Sequence, residues 1–215
     1  MRIRPVGTNA LLLDCADADQ VEAWRAELWR RRERGQLTVV EIVPAATTVL
    51  LDGVPDPAAT AARIAAWKAG TAASTETGGR AATIDPAAAA GLVEVPVTYD
   101  GADLPVVAEH WGVDVPAVIE RLGRTRFRVA FCGFAPGFAY LTGLPAELAV
   151  PRLPTPRPRV PAGSIALAGP YAGIYPAASP GGWLLVGRTD LALFDVHADP
   201  PARLTPGTPV RLVAA

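Results

Sequence analysis

The sequence has few of the residues that build metal centres or disulfide frameworks. Its 215 residues include only two cysteines and two histidines. Cys15 and Cys132 lie far apart in the chain, unlike the closely spaced cysteines of small disulfide-bonded proteins. Together with His110 and His197 they do not match the ligand spacing of a zinc site. The sequence therefore predicts no metal and no disulfide framework.

Long apolar runs and a strong charge of one sign are also missing. No segment approaches the roughly 18 to 20 consecutive apolar residues that span a bilayer, although half of the residues are hydrophobic and 19% are charged. Residues 1–5, MRIRP, do not open the apolar stretch of a signal peptide. The formal net charge of −1 argues against a general nucleic-acid binder. We therefore expect a cytoplasmic protein with a real core and neither a membrane nor a nucleic-acid partner.

Signatures of nucleotide sites and of activated nucleophiles are missing too. The sequence contains neither G-x-x-x-x-G-K-[ST] nor G-x-G-x-x-G, so any ATP is expected to bind to another chain. Ser164 and Ser179 have neither a G-x-S-x-G context nor a histidine nearby. His110 and His197 are interpreted as structural or solvent-exposed residues. The sequence alone thus identifies no catalytic residue.

The first seventy residues show a β-β-α-β-β-α pattern, typical of a small sheet with helices packed on one face. Turn residues at 7–9, aspartates at helix starts and apolar residues at helical spacing carry this interpretation. The predicted elements are a hairpin of residues 2–6 and 10–15, a helix from Asp17 or Asp19 to about Arg34, strands at about 37–43 and 47–52, and a helix from Asp56-Pro57 to near Gly70.

The character of the chain changes after residue 70. Residues 71–91 are small, polar or alanine-rich and predict a linker. Residues 92–215 contain many short strands separated by glycine and proline, which favours a closed barrel or a sandwich. The elements predicted at its start are a strand over 92–100 broken by Pro96, short helices at about 103–111 and 115–122 with Asp114 as cap of the second, and a strand over 126–132 with Phe127, Val129 and Phe131 on one side.

Three segments of this second half combine rigid turns with aromatic and basic side chains. They are residues 133–141, GFAPGFAYL, residues 151–164, PRLPTPRPRVPAGS, and residues 173–189, GIYPAASPGGWLLVGRT. Glycine lets the backbone approach a ligand, and proline fixes a turn. An arginine held in such a frame can offer a two-pronged donor to a carboxylate or phosphate. Such segments also simply close barrels, so the residues by themselves leave both roles open.

The same three segments resemble the family called allophanate hydrolase subunit 1. That family includes the B-type subunit of the bacterial three-subunit 5-oxoprolinase (PxpB) and the sporulation-kinase inhibitor KipI. The resemblance is close from about Val95 to Val210 and weaker before it, where GTNALLLD and VVEIVPAATTVLLD fit the family's opening strands. It implies an α+β protein, with a small N-terminal α/β domain over 1–70, a linker over 71–91 and a cyclophilin-like β-barrel over 92–215.

This resemblance implies a subunit of an ATP-dependent 5-oxoprolinase complex that opens 5-oxoproline to L-glutamate. The expected partners are a second subunit of the PxpC, KipA or allophanate hydrolase subunit 2 type and a third of the PxpA type. No cofactor is expected on this chain, since ATP would be used on another subunit. Allophanate hydrolase subunit 1 and a KipI-like inhibitor of a sensor histidine kinase stay open as alternatives. A prolyl isomerase would follow from the barrel alone, and a fold does not establish a function.

The resemblance also suggests a small-molecule pocket at the barrel rim. Residues 133–141 are expected to form one wall, closed by the segment around Arg152 and the turn at 179–183. Arg152, Arg157 or Arg159 is expected to hold the carboxylate of 5-oxoproline or of a phosphorylated or carboxylated intermediate. The candidate substrate-binding residues are Arg152, Arg157, Arg159, Tyr175, Trp183, Phe138, Tyr140 and Ser179. The candidate loop-forming residues are Gly133, Pro136, Gly137, Gly163, Pro180, Gly181 and Gly182.

At three places the sequence departs from the pattern of the family. The family commonly has a His-Thr pair where this chain has Gly123-Arg124, and Gln-Thr where it has Tyr171-Ala172. Near the C-terminus, the pattern Gly-Asp-x-Val appears as residues 207–210, GTPV. The glycines and prolines of the barrel are kept, so the same fold is expected. The changed polar groups bear on the choice of substrate, because a hydrogen-bonding pocket discriminates strongly by them.

Overall fold

The computed structural model describes residues 1–67 and 91–215. The chain divides into two compact units, residues 1–89 and 90–215. Apart from Gly91, the linker predicted over 71–91 lies outside the described residues. Among the helices of the described ranges, none has both the length and the apolar character to cross a membrane.

Within residues 1–67, the first unit is a four-stranded antiparallel sheet with two helices. The strand order is β1-β2-β4-β3, and apolar residues of the sheet and of both helices share one core. The predicted β-β-α-β-β-α order is confirmed. The elements are β1 (Arg2–Val6), β2 (Ala10–Asp14), α1 (Ala18–Glu33), β3 (Glu41–Pro44), β4 (Thr48–Asp52) and α2 (Pro57–Ala65).

Aspartates cap both helices of this unit, as the sequence predicts. The carboxylate of Asp17 accepts the backbone N–H of Gln20 at 2.8 Å, and that of Asp56 accepts the N–H of Ala59 at 2.9 Å. Each cap stabilises its helix by about 1 kcal/mol. The caps therefore fix where α1 and α2 begin.

Two predicted boundaries in this unit are wrong. Helix α2 ends at Ala65 and not near residue 70, because the N–H groups of Ala66 and Trp67 turn back to carbonyls three residues earlier. Strand β3 begins at Glu41 and not at residue 37. The N–H of Leu37 bonds to the carbonyl of Arg31 at 3.2 Å, so the chain there is tied to the last turn of α1.

The second unit is built on a seven-stranded sheet that curls into a nearly closed barrel. Its order is β12-β9-β10-β7-β6-β13-β5, and β8 and β11 form a separate pair. The α+β class with a barrel is thereby confirmed. The elements are β5 (Val93–Val97), α3 (Leu104–Trp111), α4 (Val115–Arg124), β6 (Phe127–Cys132), β7 (Ala139–Thr142), a 3₁₀ turn (Ala146–Leu148), β8 (Arg157–Val160), β9 (Ser164–Ala168), β10 (Tyr171–Ile174), β11 (Ser179–Gly181), β12 (Leu184–Arg188) and β13 (Pro209–Ala214).

The end strands of this sheet meet at Thr98 and Arg188. Each residue donates its backbone N–H to the carbonyl of the other at 2.9 Å. Since Thr98 directly follows β5 and Arg188 ends β12, these two bonds join the first and last strands. Gly187 permits the approach, because a Cβ there would lie 2.6 Å from the carbonyl oxygen of Thr98. Closure removes unpaired strand edges that would otherwise pair with other chains.

Pro96 does not break β5, contrary to the prediction from sequence. The strand runs from Val93 to Val97 and pairs in parallel with β13 along that whole range. Proline lacks a backbone N–H and is tolerated at the end of a sheet, where one side of the strand has no continuous ladder to complete. The position of β5 in the sheet order therefore explains why the proline does no harm.

A β-bulge in β6 changes the side on which Phe131 lies. The register with β7 continues from Val129 to Phe131 and skips Ala130. A bulge of this kind inserts one unpaired residue and shifts the alternation of side chains. Phe127 and Val129 therefore join the main core, whereas Phe131 stacks on Tyr140 on the opposite face. The prediction that all three share one side is wrong at Phe131.

Four neighbouring strands, β7, β9, β10 and β12, have side chains in a hydrophobic cluster on each of their faces. On the second face the side chains of β9 are buried, whereas Tyr140, Tyr171 and Leu185 of the other strands are partly buried. Successive residues of a strand point to opposite sides. In β9, Ile165 and Leu167 join the main core with α3 and α4, whereas Ala166 and Ala168 join a second cluster. This second cluster is where the three Gly- and Pro-rich segments meet.

Replacing Gly187 by alanine is expected to lower the free energy of unfolding by about 1–3 kcal/mol, as in overpacked cores. The added methyl group would press on the Thr98 carbonyl and open the junction of the end strands. Urea unfolding followed by circular dichroism measures the effect.

Gly123→Ala is the matched control, because a Cβ there meets only the carbonyl of Leu212 at 3.8 Å. In helix α4 that change is expected to leave stability unchanged or to raise it by up to about 1 kcal/mol. Equal stability of Gly187→Ala and wild type would show that closure does not depend on this close approach.

Candidate functional site

Seven aromatic rings form a continuous cluster, here named the aromatic face. Tyr140 lies at its centre, with ring centroids 4.4 Å from Phe131, 5.1 Å from Phe138, 5.5 Å from Trp183 and 5.8 Å from Tyr171. Aromatic pairs of this kind contribute about 0.5–1.5 kcal/mol each beyond burial, so the rings hold one another in place. The aromatic face consists of Phe131, Phe134, Phe138, Tyr140, Tyr171, Tyr175 and Trp183.

Gly173 in β10 makes room for two of these rings. It pairs with Tyr140 of β7 on one side and Ala166 of β9 on the other. A Cβ at this position would lie 2.9 Å from ring atoms of both Phe138 and Trp183. The two rings therefore pack directly against the backbone of the strand, and no larger residue fits without displacing them.

The loop over 133–137 turns tightly and holds Phe134 at the rim. The N–H of Ala135 donates to the carbonyl of Gly133 at 2.8 Å, and the N–H of Phe138 donates to the carbonyl of Ala135 at 3.0 Å. Phe134 has a φ of 68°, which bulky residues rarely adopt, and it is 62% exposed. Backbone strain of this kind persists only where the surroundings impose it, and it is concentrated at functional sites.

Arg157, one of the three candidate arginines, already has a counter-ion within the protein. Its Nη2 donates to both carboxylate oxygens of Asp103, at 2.7 and 2.9 Å, and its Nη1 donates to the carbonyl of Trp183 at 3.3 Å. Asp103 is buried and also accepts the N–H of Leu185 at 2.7 Å. These bonds tie the residue preceding α3 to β8 and β12, and they compensate the charge of Arg157.

Arg152 and Arg159, in contrast, are exposed and form no ion pair within residues 1–67 and 91–215. The N–H of Leu153 donates to the carbonyl of Gly182 at 2.7 Å, which anchors the Arg152 segment to the turn before Trp183. Burial raises the pKa of Tyr175, and the nearby charges of Arg152 and Arg157 partly oppose that rise. Arg152 is therefore an uncompensated cation on a segment bonded to Gly182, next to Gly181, which lies against the Tyr175 hydroxyl.

Four hydrogen-bond donors on the aromatic face have no partner among the described residues. They are the hydroxyls of Tyr140, Tyr171 and Tyr175 and the indole N–H of Trp183. Burial raises the pKa of both Tyr171 and Tyr175, so these hydroxyls stay protonated at neutral pH. Four available donors beside a free guanidinium suit a small ligand with several acceptor oxygens.

The remaining candidate residues form the frame around this face. Ser179 pairs with Val160 between β11 and β8, and its hydroxyl is buried without a hydrogen-bond partner in the described part of the chain. Gly181 lies against the hydroxyl of Tyr175, and Gly163 has a φ of 77°. The others lie in the loop before β7 (Gly133, Pro136, Gly137) and within or next to β11 (Pro180, Gly182).

Metal-ligating and nucleophilic groups do not add to this picture. No group of three or more histidine, cysteine, aspartate or glutamate side chains that could hold a metal occurs in residues 1–67 and 91–215. Burial raises the pKa of Cys132 to about 11, so its thiol stays protonated at neutral pH. His110 and His197 are exposed. The described residues around the aromatic face thus offer donors and a cation.

Sequence reasoning missed three residues of this region. Phe131 was assigned to the wrong side because the bulge at Ala130 is not visible in the pattern. Asp103 gives no local sign of its contact with Arg157, since the two lie 54 residues apart. Tyr171 had a usable signal, because the alternation of the segment YAGIY places it on the same side as Tyr175.

Replacing Asp103 by asparagine is expected to destabilise the second unit by about 2 kcal/mol. Breaking a fully buried ion pair costs about 3–5 kcal/mol, and the smaller figure reflects the 28% exposure of the Arg157 side chain. Thermal and urea unfolding measure the change.

The matched control is Asp100→Asn, which breaks the Arg188–Asp100 pair, with side chains 61% and 47% exposed. An exposed pair contributes about 0–1 kcal/mol. Equal losses of unfolding free energy in the two variants would show that the Asp103–Arg157 pair stabilises the protein no more than an exposed pair does.

Comparison with known proteins agrees with the resemblance of the three segments. The family model described as "Carboxyltransferase domain, subdomain C and D" matches residues 1–204. The B-type subunit of 5-oxoprolinase from Escherichia coli O157:H7 is 49% identical over 125 residues, which are 57% of this chain and 57% of the relative. That of Bacillus subtilis (strain 168) is 42% identical over 125 residues, 57% of this chain and 52% of the relative. The matched region thus spans about half the length of these curated relatives.

Solved structures extend the similarity over nearly the whole chain. The crystal structure of TTHA0988 is 33% identical with a TM-score of 0.73, and the match covers 97% of this chain and 40% of that one. The K. lactis urea amidolyase is 17% identical with a TM-score of 0.67, covering 99% of this chain and 15% of that one. The second likeness concerns the fold alone. The predicted resemblance to the B-type subunit of 5-oxoprolinase is confirmed. Because the family model covers nearly the whole chain, the chain belongs to the family that comprises subdomains C and D of the carboxyltransferase domain.

Proposed function

We propose that this chain is a subunit of an ATP-dependent 5-oxoprolinase and that its aromatic face binds the substrate. One observation carries the proposal: Arg152, a cation without an internal ion pair among the described residues, lies on a segment that is bonded through Leu153 to Gly182, and the neighbouring Gly181 lies against the Tyr175 hydroxyl, which also has no partner there. 5-Oxoproline is a small lactam with one carboxylate, which is ionised at neutral pH. The curated relatives are named as subunits of 5-oxoprolinase, which supports this choice of substrate.

Arg152 is the proposed carboxylate ligand. A guanidinium binds a carboxylate through two parallel hydrogen bonds. Arg157 is less suited, because its Nη2 already contacts both oxygens of Asp103. Arg159 is exposed and stays a second candidate. The buried rings of Tyr175 and Trp183 would shield one side of the ligand from water, which strengthens hydrogen bonds at their polar tips.

The reaction requires water to add to the lactam carbonyl and the ring C–N bond to break, which yields glutamate. In this proposal the chain binds and orients 5-oxoproline, and ATP binds to another subunit, since the sequence has no phosphate-binding motif. No cofactor is assigned to this chain. A cytoplasmic location belongs to the same proposal.

The proposed partners are a PxpC/KipA-type second subunit and a PxpA-type third subunit. The word "subunit" in the names of the curated relatives supports an assembly, and in TTHA0988 the matching region is 40% of a longer chain.

The proposed contact surface is an apolar rim. Phe134, Phe194 and Val196 are exposed apolar side chains there, at 62%, 39% and 71%. Gly137 packs against Phe194, so the loops that carry these residues adjoin. We assign this rim to the second subunit, since exposed apolar groups of this kind are typical of contact surfaces.

Replacing Arg152 by alanine is expected to lower kcat/KM for 5-oxoproline about 10- to 100-fold, mainly through KM, because a charged hydrogen bond is worth about 1.5–3 kcal/mol. The chain would be co-expressed with its neighbouring open reading frames and purified on a tag. ATP-dependent glutamate release is the readout, and co-purification reports assembly.

Arg211→Ala is the control, since Arg211 is 57% exposed and its nearest carboxylate oxygen, on Glu94, lies 3.7 Å away. It is expected to leave both assembly and turnover unchanged. Unaltered kinetics of Arg152→Ala would remove Arg152 from the site. A complex that assembles but releases no glutamate would contradict the substrate and make allophanate the next one to test. Failure of any partner to co-purify would contradict the subunit role.

A further inference from the structure

We infer that Tyr171, together with Tyr140, determines specificity by donating hydrogen bonds to a second, uncharged oxygen of the ligand, so that the site selects small monocarboxylates that also carry a carbonyl. This inference rests on the proposed function and deepens it. It divides the aromatic face into a cationic end at Arg152 and Tyr175 and a neutral end at Tyr171. Arg152 would bind the carboxylate, and the hydroxyls of Tyr171 and Tyr140 would donate hydrogen bonds to the ring carbonyl.

The backbone places Tyr171 at the edge of the same face as the other rings. Strand β10 begins at Tyr171, and Gly173 two residues later pairs with Tyr140 of β7. The Tyr171 ring lies edge-on to Phe131 at 5.5 Å and to Tyr140 at 5.8 Å. Phe131 in turn stacks on Tyr140 at 4.4 Å. The orientation of Tyr171 is therefore fixed by two rings that are themselves held by packing.

The hydroxyl of Tyr171 is available to a ligand. Tyr171 and Tyr140 are only partly buried, and neither hydroxyl has a hydrogen-bond partner among residues 1–67 and 91–215. Burial raises the pKa of Tyr171, and Tyr140 raises it further, so the Tyr171 hydroxyl keeps its proton at neutral pH and can donate it to a hydrogen bond. A carbonyl oxygen has two lone pairs and accepts two such donors.

The two ends of the face differ in charge. The backbone joins the Arg152 segment to the Tyr175 end, because Leu153 donates to the carbonyl of Gly182 at 2.7 Å and Gly181 lies against the Tyr175 hydroxyl. Tyr171, in contrast, lies edge-on to the uncharged rings of Phe131 and Tyr140. A carboxylate is drawn to the end with the guanidinium, because charge-assisted bonds are roughly twice as strong as neutral ones. A neutral acceptor suits the other end, where two neutral hydroxyls offer hydrogen bonds without a cation. The arrangement fits a monoanion with one further carbonyl better than a dianion.

The test compares three ligands of similar size on the co-expressed complex. 5-Oxoproline carries the carboxylate and the ring carbonyl, cyclopentanecarboxylate carries only the carboxylate, and 2-pyrrolidinone carries only the carbonyl. Affinities would be measured by titration of tryptophan fluorescence, and inhibition of glutamate release by the two analogues would be measured in parallel. Wild type is expected to bind 5-oxoproline most tightly.

Tyr171→Phe is expected to weaken 5-oxoproline binding about tenfold, about 1.4 kcal/mol, and to leave cyclopentanecarboxylate binding unchanged. Phenylalanine keeps the ring contacts with Phe131 and Tyr140 and removes only the hydroxyl. Tyr140→Phe provides a second variant with the same expected pattern. Arg152→Ala is expected to show the opposite pattern, with both acids weakened and 2-pyrrolidinone unaffected.

Tyr99→Phe is the matched control. The Tyr99 hydroxyl is buried without a partner in the described residues, and Tyr99 packs against the main core. Its removal is expected to change no affinity. A thermal midpoint equal to that of wild type would confirm that each Tyr→Phe variant folds.

Two results would overturn the inference and leave the proposed function intact. One is an unchanged affinity of Tyr171→Phe and Tyr140→Phe for 5-oxoproline in a complex that releases glutamate. The other is an equal loss for 5-oxoproline and cyclopentanecarboxylate, which would mean that the hydroxyls do not bind the carbonyl. A wild-type complex that neither binds 5-oxoproline nor releases glutamate would overturn the proposed function and this inference together.

Discussion

The second unit depends on strands that have a hydrophobic cluster on each face. Successive side chains of a strand point to opposite faces of the sheet, so each face needs its own packing partners. In β9 every residue is buried. One set of side chains fills the main core, so the other set needs a cover of its own. The aromatic face and the β8–β11 pair supply that cover. The surface that we propose as the binding site is therefore part of what holds the barrel together.

A site of this kind is rigid because its walls are also packing elements. Phe138 touches four other rings of the cluster, and Gly173 allows it to lie on the strand backbone. Ligand-binding groups that are fixed before the ligand arrives lose little entropy on binding. The loop with Phe134 in a strained conformation adds a rim that ring contacts with Phe138 and Tyr175 support. The ring contacts thus hold the tyrosine hydroxyls and the Trp183 indole N–H in place and leave their hydrogen bonds available to a ligand.

The charged residues near the aromatic face, Asp103, Arg157 and Arg152, have different roles. The pair of Asp103 and Arg157 is largely removed from solvent and joins three parts of the second unit through four hydrogen bonds. A buried ion pair stabilises the fold only when its hydrogen bonds are complete, because burying either charge without its partner raises the free energy of the folded state. Arg152 stands outside this arrangement and keeps its guanidinium for solvent or a ligand. The prolines of the 151–164 segment hold both arginines, so one rigid segment provides a structural cation and a free one.

Local signals predicted much of the fold, and long-range contacts account for what was missed. The caps Asp17, Asp56 and Asp114 act within three residues of themselves, so the starts of their helices could be predicted. The bulge at Ala130 depends on the partner strand and leaves no mark in the alternation of β6. The linker and the roles of the candidate residues stay predictions. The Asp103–Arg157 contact joins distant segments, and only the folded chain reveals it.

The departures from the family pattern differ in what they affect. Thr208 is buried, and its hydroxyl accepts the N–H of Thr205 at 3.3 Å, a turn-stabilising bond that an aspartate carboxylate also forms. Gly123 and Arg124 end helix α4, where Arg124 pairs with Glu120 in solvent. Only Tyr171 places a changed side chain on the aromatic face. We therefore expect any difference in substrate between this chain and its relatives to arise at the neutral end of that face, which we propose to bind a carbonyl.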